Sequence, residues 1–214
     1  MNSKNNNFVS FITPFDIHKS LVVKSLLDVF IFIICFFIFY YSSILYPDSD
    51  IAMHQKYVLW FNEGKLPLLG HFLYFLIISF LSFFSTKIEI IIFVSCLFLS
   101  LMIVVKRRIT EWMILKINDN DLRFSKYYFW ISFAMVFMTN MPSHPPFKGL
   151  WPPISWINST SITVLPLCMF LFYYSYEYAE NLNINIKENK RFLLLITLST
   201  LITLIKPSYL MNFI

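Results

Sequence analysis

The feature that most constrains this chain is a series of long segments without a charged residue. The first runs from Val29 to Tyr46, and the second covers Leu66 to Thr86. A helix rises about 1.5 Å per residue, so segments of this length can cross a hydrocarbon layer of roughly 30 Å. They are continuously apolar and do not alternate with polar residues, which indicates helices and not barrel strands.

Four further segments complete a prediction of about six transmembrane helices in an all-α integral membrane protein. They are Ile88–Val105, Tyr127–Met141, part of Gly149–Tyr176, and Phe192–Ile205. The chain is expected to divide into a polar N-terminal segment, residues 1–25, and a helical transmembrane domain, residues 26–214. We therefore expect a multi-pass protein of the cell membrane.

The composition excludes a soluble domain. Hydrophobic residues make up 57% of the chain and charged residues only 14%, whereas soluble domains carry about 25% charged residues. A soluble globule of this size could not bury so much apolar surface. The net charge of +5 is therefore expected in loops that face anionic lipid head groups, and no nucleic-acid partner is predicted. Three glycines cannot build a phosphate-binding loop, and no metal-ligand motif is present.

A polar loop after the first span carries closely spaced reactive side chains. The pattern from Pro47 to Gly64 is that of a short interfacial helix, with acidic residues at its start and a glycine at its end. Asp50 and His54 are four residues apart and would share one face of this helix. The alternative is that Asp48 or Asp50 only caps the helix and that His54 lies at head-group level.

Four later residues combine polar chemistry with unusual positions. His71 opens the predicted second span, and Lys206 follows the last one. Lys206 would there pair with a phosphate or a carboxylate, or would extend its ammonium to the membrane surface without a specific partner. Trp156 and Asn158 lie in a segment whose two prolines prevent a regular helix. A Trp there can stack on a sugar ring or belong to the aromatic belt, and His71 can equally be an ordinary interfacial residue.

Taken in order, these segments resemble those of bacterial polytopic membrane proteins with a GT-C glycosyltransferase fold. The shared pieces are Ser49-Asp50 with His54, then Gly70–Tyr74, then Trp156–Thr160, and finally Lys206-Pro207-Ser208. In the third piece Ile157 and Ser159 replace a His and a Pro of the family pattern. The resemblance implies that this chain corresponds to the N-terminal part of longer relatives.

The resemblance also implies a hexosyltransferase that moves a sugar from a polyprenyl-phosphate donor to a cell-envelope glycan or lipid. By position Asp50 would be the general base, with Asp48 as its substitute. The residues expected to bind the substrates are His54, His71, Trp156, Asn158 and Lys206. The implied partners are membrane lipid, the lipid-linked donor and the acceptor. The cofactor stays open, with a divalent cation as a candidate and no metal ligand assigned.

An alternative function stays open beside this one. The chain could be a non-catalytic membrane component of polysaccharide export or polymerisation, or an inactive truncated remnant. Six spans would place the Asp50 loop and the Trp156 segment on opposite faces of the membrane, which a single active site cannot tolerate. On the same count, the distribution of basic residues would place the N-terminus outside the cell.

Overall fold

A computed structural model describes residues 14–65, 71–117, 127–128, 130–132, 134, 159–180 and 188–206. These residues form helices and turns, and no strand occurs among them. The helices are α1 (Pro14–Leu45), α2 (Asp50–Asn62), α3 (Phe72–Leu81), α4 (Ile88–Ile117), α5 (Ser159–Glu180) and α6 (Glu188–Ile205). The residues described between 127 and 134 are helical as well. The predicted all-helical class is thus confirmed for the described part of the chain.

Helices α1 and α4 are the two described helices that are long and apolar enough to cross a membrane. They pack antiparallel, because Ser43 near the end of α1 contacts Cys96 near the start of α4, while Asp28 bonds Arg107 further along. Large side chains on the outer face of α1, such as Phe30 and Phe37, are exposed. An apolar outer surface of this kind is what a lipid environment requires.

The core lies between α1, α2, α3 and α4. Phe39, Val58, Ile78 and Leu99 each come from a different one of these helices and are completely buried. Cys35 and Cys96 are buried here as free thiols, and Cys168 is partly buried. This packing fixes α2 and α3 against the long pair.

Helices α5 and α6 form a second antiparallel pair beside α4. Trp112 of α4 packs on Tyr173 of α5, with ring centroids 4.7 Å apart. Tyr178 near the end of α5 contacts Phe192 near the start of α6. Helix α5 therefore runs parallel to α4, and α6 returns to the end where α5 begins. The end of α1, the start of α2, the start of α5 and the end of α6 lie at this end of the bundle, which we call the site end. We call the opposite end the far end.

The second predicted span was wrong in length. Helix α3 has ten residues, which corresponds to a rise of about 15 Å and half of a hydrocarbon layer. It ends at Leu81, where Phe83 and Phe84 adopt positive φ angles of 53° and 52°. The chain then turns directly into α4. Both ends of α3 thus lie near the site end.

The described residues do not show six spans. Besides α1 and α4, shorter apolar helices cover Phe72–Leu81 and Phe192–Ile205. Most of the predicted span Tyr127–Met141 lies outside the described residues. The coarser prediction, a helical protein with membrane-spanning character, agrees with the two long apolar helices.

A buried ion cluster joins α1 and α4 toward the far end. The Arg107 side chain is completely buried, and its Nε donates to Asp28 Oδ1 at 2.5 Å while its Nη1 donates to Glu111 Oε2 at 2.9 Å. Arg108 also pairs with Asp28, and Lys24 Nζ lies 2.5 Å from Glu111 Oε1. Breaking one partner of such a buried pair is costly, so the cluster fixes the register of the two helices.

Candidate functional site

The site is built on the first turn of α2. Ser49 is the N-cap, and its Oγ accepts a hydrogen bond from the backbone N–H of Ala52 at 3.3 Å. The helix ends at Asn62, followed by Gly64 with a φ of +70°. Glycine adopts this left-handed conformation without steric cost. The predicted short helix is therefore present, and its first residue is Asp50. Its place at the membrane interface stays a prediction.

His54 is held by Asp50 one turn earlier. Its Nδ1 lies 2.8 Å from the Asp50 carbonyl oxygen and 3.2 Å from Asp50 Oδ2. A carbonyl oxygen only accepts hydrogen bonds, so Nδ1 carries a proton. The His54 side chain is 8% exposed and that of Asp50 is 37% exposed. The imidazole is thus fixed while the carboxylate stays accessible.

The Asp50 carboxylate also contacts the start of α5. Its Oδ2 accepts a hydrogen bond from the backbone N–H of Ser159 at 3.2 Å. A carboxylate at a helix N-terminus satisfies an otherwise unpaired N–H and interacts favourably with the helix dipole. Ser159 and Asp50 therefore lie at the same end of the bundle. Trp156, which six spans would place on the opposite face from Asp50, lies outside the described residues.

His71 is held in place from the other side of the site. Its φ of 72° is left-handed, a conformation that costs a residue with a side chain of this size. Nδ1 donates to the carbonyl oxygen of Ile205 at 2.8 Å, and the ring centroid lies 5.3 Å from that of His54. Burial lowers the pKa of His71, and the nearby His54 and Lys206 lower it further. The bond to Ile205 and the charge of Asp50 act in the opposite direction.

Lys206 follows the last residue of α6. Its Nζ donates to Ser161 Oγ in the first turn of α5. Burial lowers the pKa of Lys206, while the negative charge of Asp50 opposes that shift. The ammonium therefore shares one electrostatic neighbourhood with the Asp50 carboxylate and the His71 imidazole.

Four of the seven sequence-selected residues thus converge at the site end. We call Asp50, His54, His71 and Lys206 the acid–imidazole cluster. Asp48 lies in the turn before α2 with an exposed side chain, outside the contacts that organise Asp50. Trp156 and Asn158 lie outside the described residues.

Sequence reasoning missed three residues around the cluster. Ser159 and Ser161 supply the N–H and the hydroxyl that hold Asp50 and Lys206. Tyr74 is completely buried in α3, with its hydroxyl 3.1 Å from Ser95 Oγ and its ring 5.8 Å from that of His54. A Ser-Thr-Ser start of a helix was a usable signal for the two serines. Tyr74 belongs to the Gly70–Tyr74 piece of the resemblance, but a tyrosine inside an apolar run does not by itself indicate a site.

The chemistry of the cluster is that of an acid, two imidazoles and an amine. No group of three or more His, Cys, Asp or Glu side chains suited to hold a metal ion occurs within the described ranges. The carboxylate can accept a proton, and the cation can stabilise a developing negative charge. The comparisons with protein families, curated proteins and solved structures found no match to this chain.

Proposed function

We propose that this chain is a membrane-embedded glycosyltransferase that moves a sugar from a polyprenyl-phosphate donor to a glycan or lipid of the cell envelope. One observation carries the proposal: Asp50, His54, His71 and Lys206 come from three distant parts of the chain and converge at one end of the bundle. A carboxylate beside a cation is what this reaction needs. The two long apolar helices support a position in the membrane, where a lipid-linked donor is found.

Asp50 is the general base in this proposal. Its carboxylate takes the proton of an acceptor hydroxyl while that oxygen forms a bond to the anomeric carbon of the donor sugar. The bond between that carbon and the phosphate oxygen breaks, and the phosphate leaves with the electron pair. The exposed fraction of Asp50 leaves room for the acceptor. No soluble nucleotide takes part in the step.

His54 positions the base. Its Nδ1–H donates to the carbonyl oxygen of Asp50 and lies 3.2 Å from Oδ2, and the N–H of Ser159 donates to the same Oδ2. These contacts fix the direction of the carboxylate before a substrate arrives. Such preorganisation is the usual way in which a protein lowers the cost of reaching the transition state.

Lys206 and His71 stabilise the leaving phosphate. An anion beside both groups favours their charged forms, so binding of the donor phosphate raises the lowered pKa values of the two side chains. At a pH below the ordinary pKa of histidine, His71 then takes up a proton when the donor binds. Ser161 holds the Lys206 ammonium at the site before the donor arrives.

The direct test is sugar transfer by purified protein in lipid vesicles, with short polyprenyl-phosphate sugars as donors. We expect Asp50→Asn to lower the rate about 10²–10⁴-fold, because the amide cannot accept the proton. The asparagine oxygen still accepts the hydrogen bond from Ser159, so the fold is retained. Asp48→Asn, in the exposed turn two residues earlier, is the matched control and keeps the wild-type rate.

Two outcomes contradict the proposal. Equal rates for Asp50→Asn and wild type would remove Asp50 as the base. No transfer from any polyprenyl-phosphate sugar, together with a stable complex with a larger envelope-synthesis protein, would identify the chain as a non-catalytic component.

A further inference from the structure

The turn between α3 and α4 presents an unusual apolar surface. Phe83 is 92% exposed, and its neighbours Phe80, Leu81 and Phe84 are also exposed. We call these four residues the phenylalanine turn. They lie at the site end, close to the first residue of α4, and the acid–imidazole cluster does not use them.

The backbone of this turn is held in a costly conformation. Phe83 and Phe84 both have left-handed φ angles, which glycine and asparagine adopt far more easily than an aromatic residue. The N–H of Phe83 donates to Phe80 O at 3.0 Å, and that of Phe84 donates to Ser79 O at 2.7 Å. The turn therefore fixes two aromatic rings outward although the core gains nothing from them. Backbone strain of this kind concentrates at functional segments.

The position of the turn along α4 indicates what the rings contact. From Ile88 to Arg107, the first α4 residue of the buried ion cluster, α4 rises about 28 Å, close to the thickness of a hydrocarbon layer. Exposed Lys87 and Glu89 lie beside the turn, at the start of α4 and opposite the ion cluster. If the ion cluster lies at one membrane surface, the phenylalanine turn lies at the other.

We propose that the phenylalanine turn inserts into the boundary between head groups and acyl chains at the site end, and that it holds α2 at a fixed depth. The occupant of this surface is lipid, because the turn continues into exposed Ile90 and Phe93 on the outer face of α4. Aromatic rings favour this boundary. The inference depends on the membrane position of the helices and not on sugar transfer.

A hydrogen bond connects the turn to the helix that carries the site. Asn62 Nδ2, at the last residue of α2, donates to Ser85 O at 2.7 Å. The other end of α2 carries Asp50. The depth of the turn in the bilayer is thereby transmitted to α2, and Asn62 is the positioning residue for this connection.

The depth of the turn can be measured with a fluorescent label. Phe83→Cys, in a background without the three native cysteines, is labelled with an environment-sensitive dye and reconstituted in phosphatidylcholine–phosphatidylglycerol vesicles. We expect a nitroxide near the carbonyl end of the acyl chain to quench the dye more than a nitroxide near the chain terminus. Lys65→Cys, exposed three residues beyond the end of α2, is the control, and we expect aqueous iodide to quench its label instead.

Three results overturn this part of the proposal. The Phe83 label could be quenched by iodide as strongly as the Lys65 label, which would place the turn in water. It could be quenched most by the chain-terminal nitroxide, which would place it deep in the bilayer. It could be shielded from both quenchers, which would mean that protein covers it.

A second label tests the connection to α2. At Trp60→Cys we expect iodide quenching to rise at least about twofold when Asn62→Ala is added, while quenching at Phe83→Cys stays unchanged. Phe83→Asn with Phe84→Asn suits the left-handed backbone and should raise the Trp60 quenching as well. Unchanged quenching at Trp60 in both variants would show that the turn does not set the depth of α2.

Discussion

At the scale of single residues, Asp50 joins parts of the chain that are near and far from it in sequence. Its carboxylate contacts His54 one turn away and Ser159 far along the sequence. The first contact follows from the spacing of four residues, so the sequence predicts it. The second cannot be predicted, because it depends on which end of the bundle α5 starts from.

The other half of the cluster shows the same limit. His71 and Ile205 are separated by 134 positions, and no periodicity relates them. Both His71 and Lys206 stand out in the sequence as polar residues beside apolar runs. Only the packing of α3 against α6 brings them together.

The pH dependence of stability follows from His71. Its folded-state pKa is lowered, chiefly by burial, so the unfolded chain binds a proton first as the pH falls. The neutral His71 ring therefore contributes to the free energy of unfolding. That contribution is fully present above about pH 6.5 and is lost as the pH falls through the lowered folded-state pKa. Thermal unfolding in detergent between pH 5 and 8 should therefore show a steeper acid loss for wild type than for His71→Gln. Parallel curves would contradict this assignment.

Relief of strain gives a second prediction at this scale. Phe84→Asn should stabilise the protein in detergent by about 1 kcal/mol, because asparagine tolerates the left-handed backbone. Phe80→Asn is the matched control, since it removes an exposed ring from the helical backbone of α3 and should bring no gain. The measurement is the denaturation midpoint of each variant. A gain for Phe80→Asn equal to that for Phe84→Asn would show that strain is not the cause.

At the scale of helices, the sequence predicts where helices lie better than where they end. The charged Lys106-Arg107-Arg108 run suggests the end of a span, yet α4 continues to Ile117. It does so because the ion partners on α1 and α4 neutralise the charges. Helix α3 shows the opposite error, since it stops within an apolar run that contains neither Gly nor Pro at the break.

The buried ion cluster gives a prediction for the α1–α4 pair. Asp28→Asn removes a carboxylate from fully buried Arg107 and should lower the free energy of unfolding by about 3 kcal/mol. Glu63→Gln, which breaks the pair with Lys65 at the surface, should change it by less than about 1 kcal/mol. Thermal unfolding in detergent compares the two. Replacing Asp28 and Arg107 together by leucine should recover part of the loss, and no recovery would contradict the pairing.

At the scale of the whole molecule, the direction of the helices changes the topology expected from sequence. Since α3 begins and ends near the site end, the chain between α2 and α4 does not cross the bundle. Of the basic residues with described backbone positions, eight lie toward the far end: Lys19, Lys24, Lys106, Arg107, Arg108, Lys116, Lys190 and Arg191. Four lie toward the site end: Lys56, Lys65, Lys87 and Lys206. The positive-inside rule then favours a cytoplasmic far end, opposite to the expectation from six spans.

Cysteine accessibility tests this orientation. Single cysteines at Asp48 and at Lys116, in a background without native cysteines, report on the site end and the far end. In intact cells we expect an impermeant maleimide to label Asp48→Cys, whereas Lys116→Cys reacts only after the membrane is opened. The reverse pattern would place the site end in the cytoplasm. Labelling of both from the same side would show that α1 and α4 do not span.

The contact between Asp50 and Ser159 also has a consequence for how the protein is made. A ribosome delivers α2 long before α5 and the residues that hold Lys206, so for much of synthesis the carboxylate is without its distant partners. The cluster can therefore assemble only after synthesis has passed Lys206. The sugar transfer proposed above would then begin only once the late helices had docked, after the early helices had entered the bilayer.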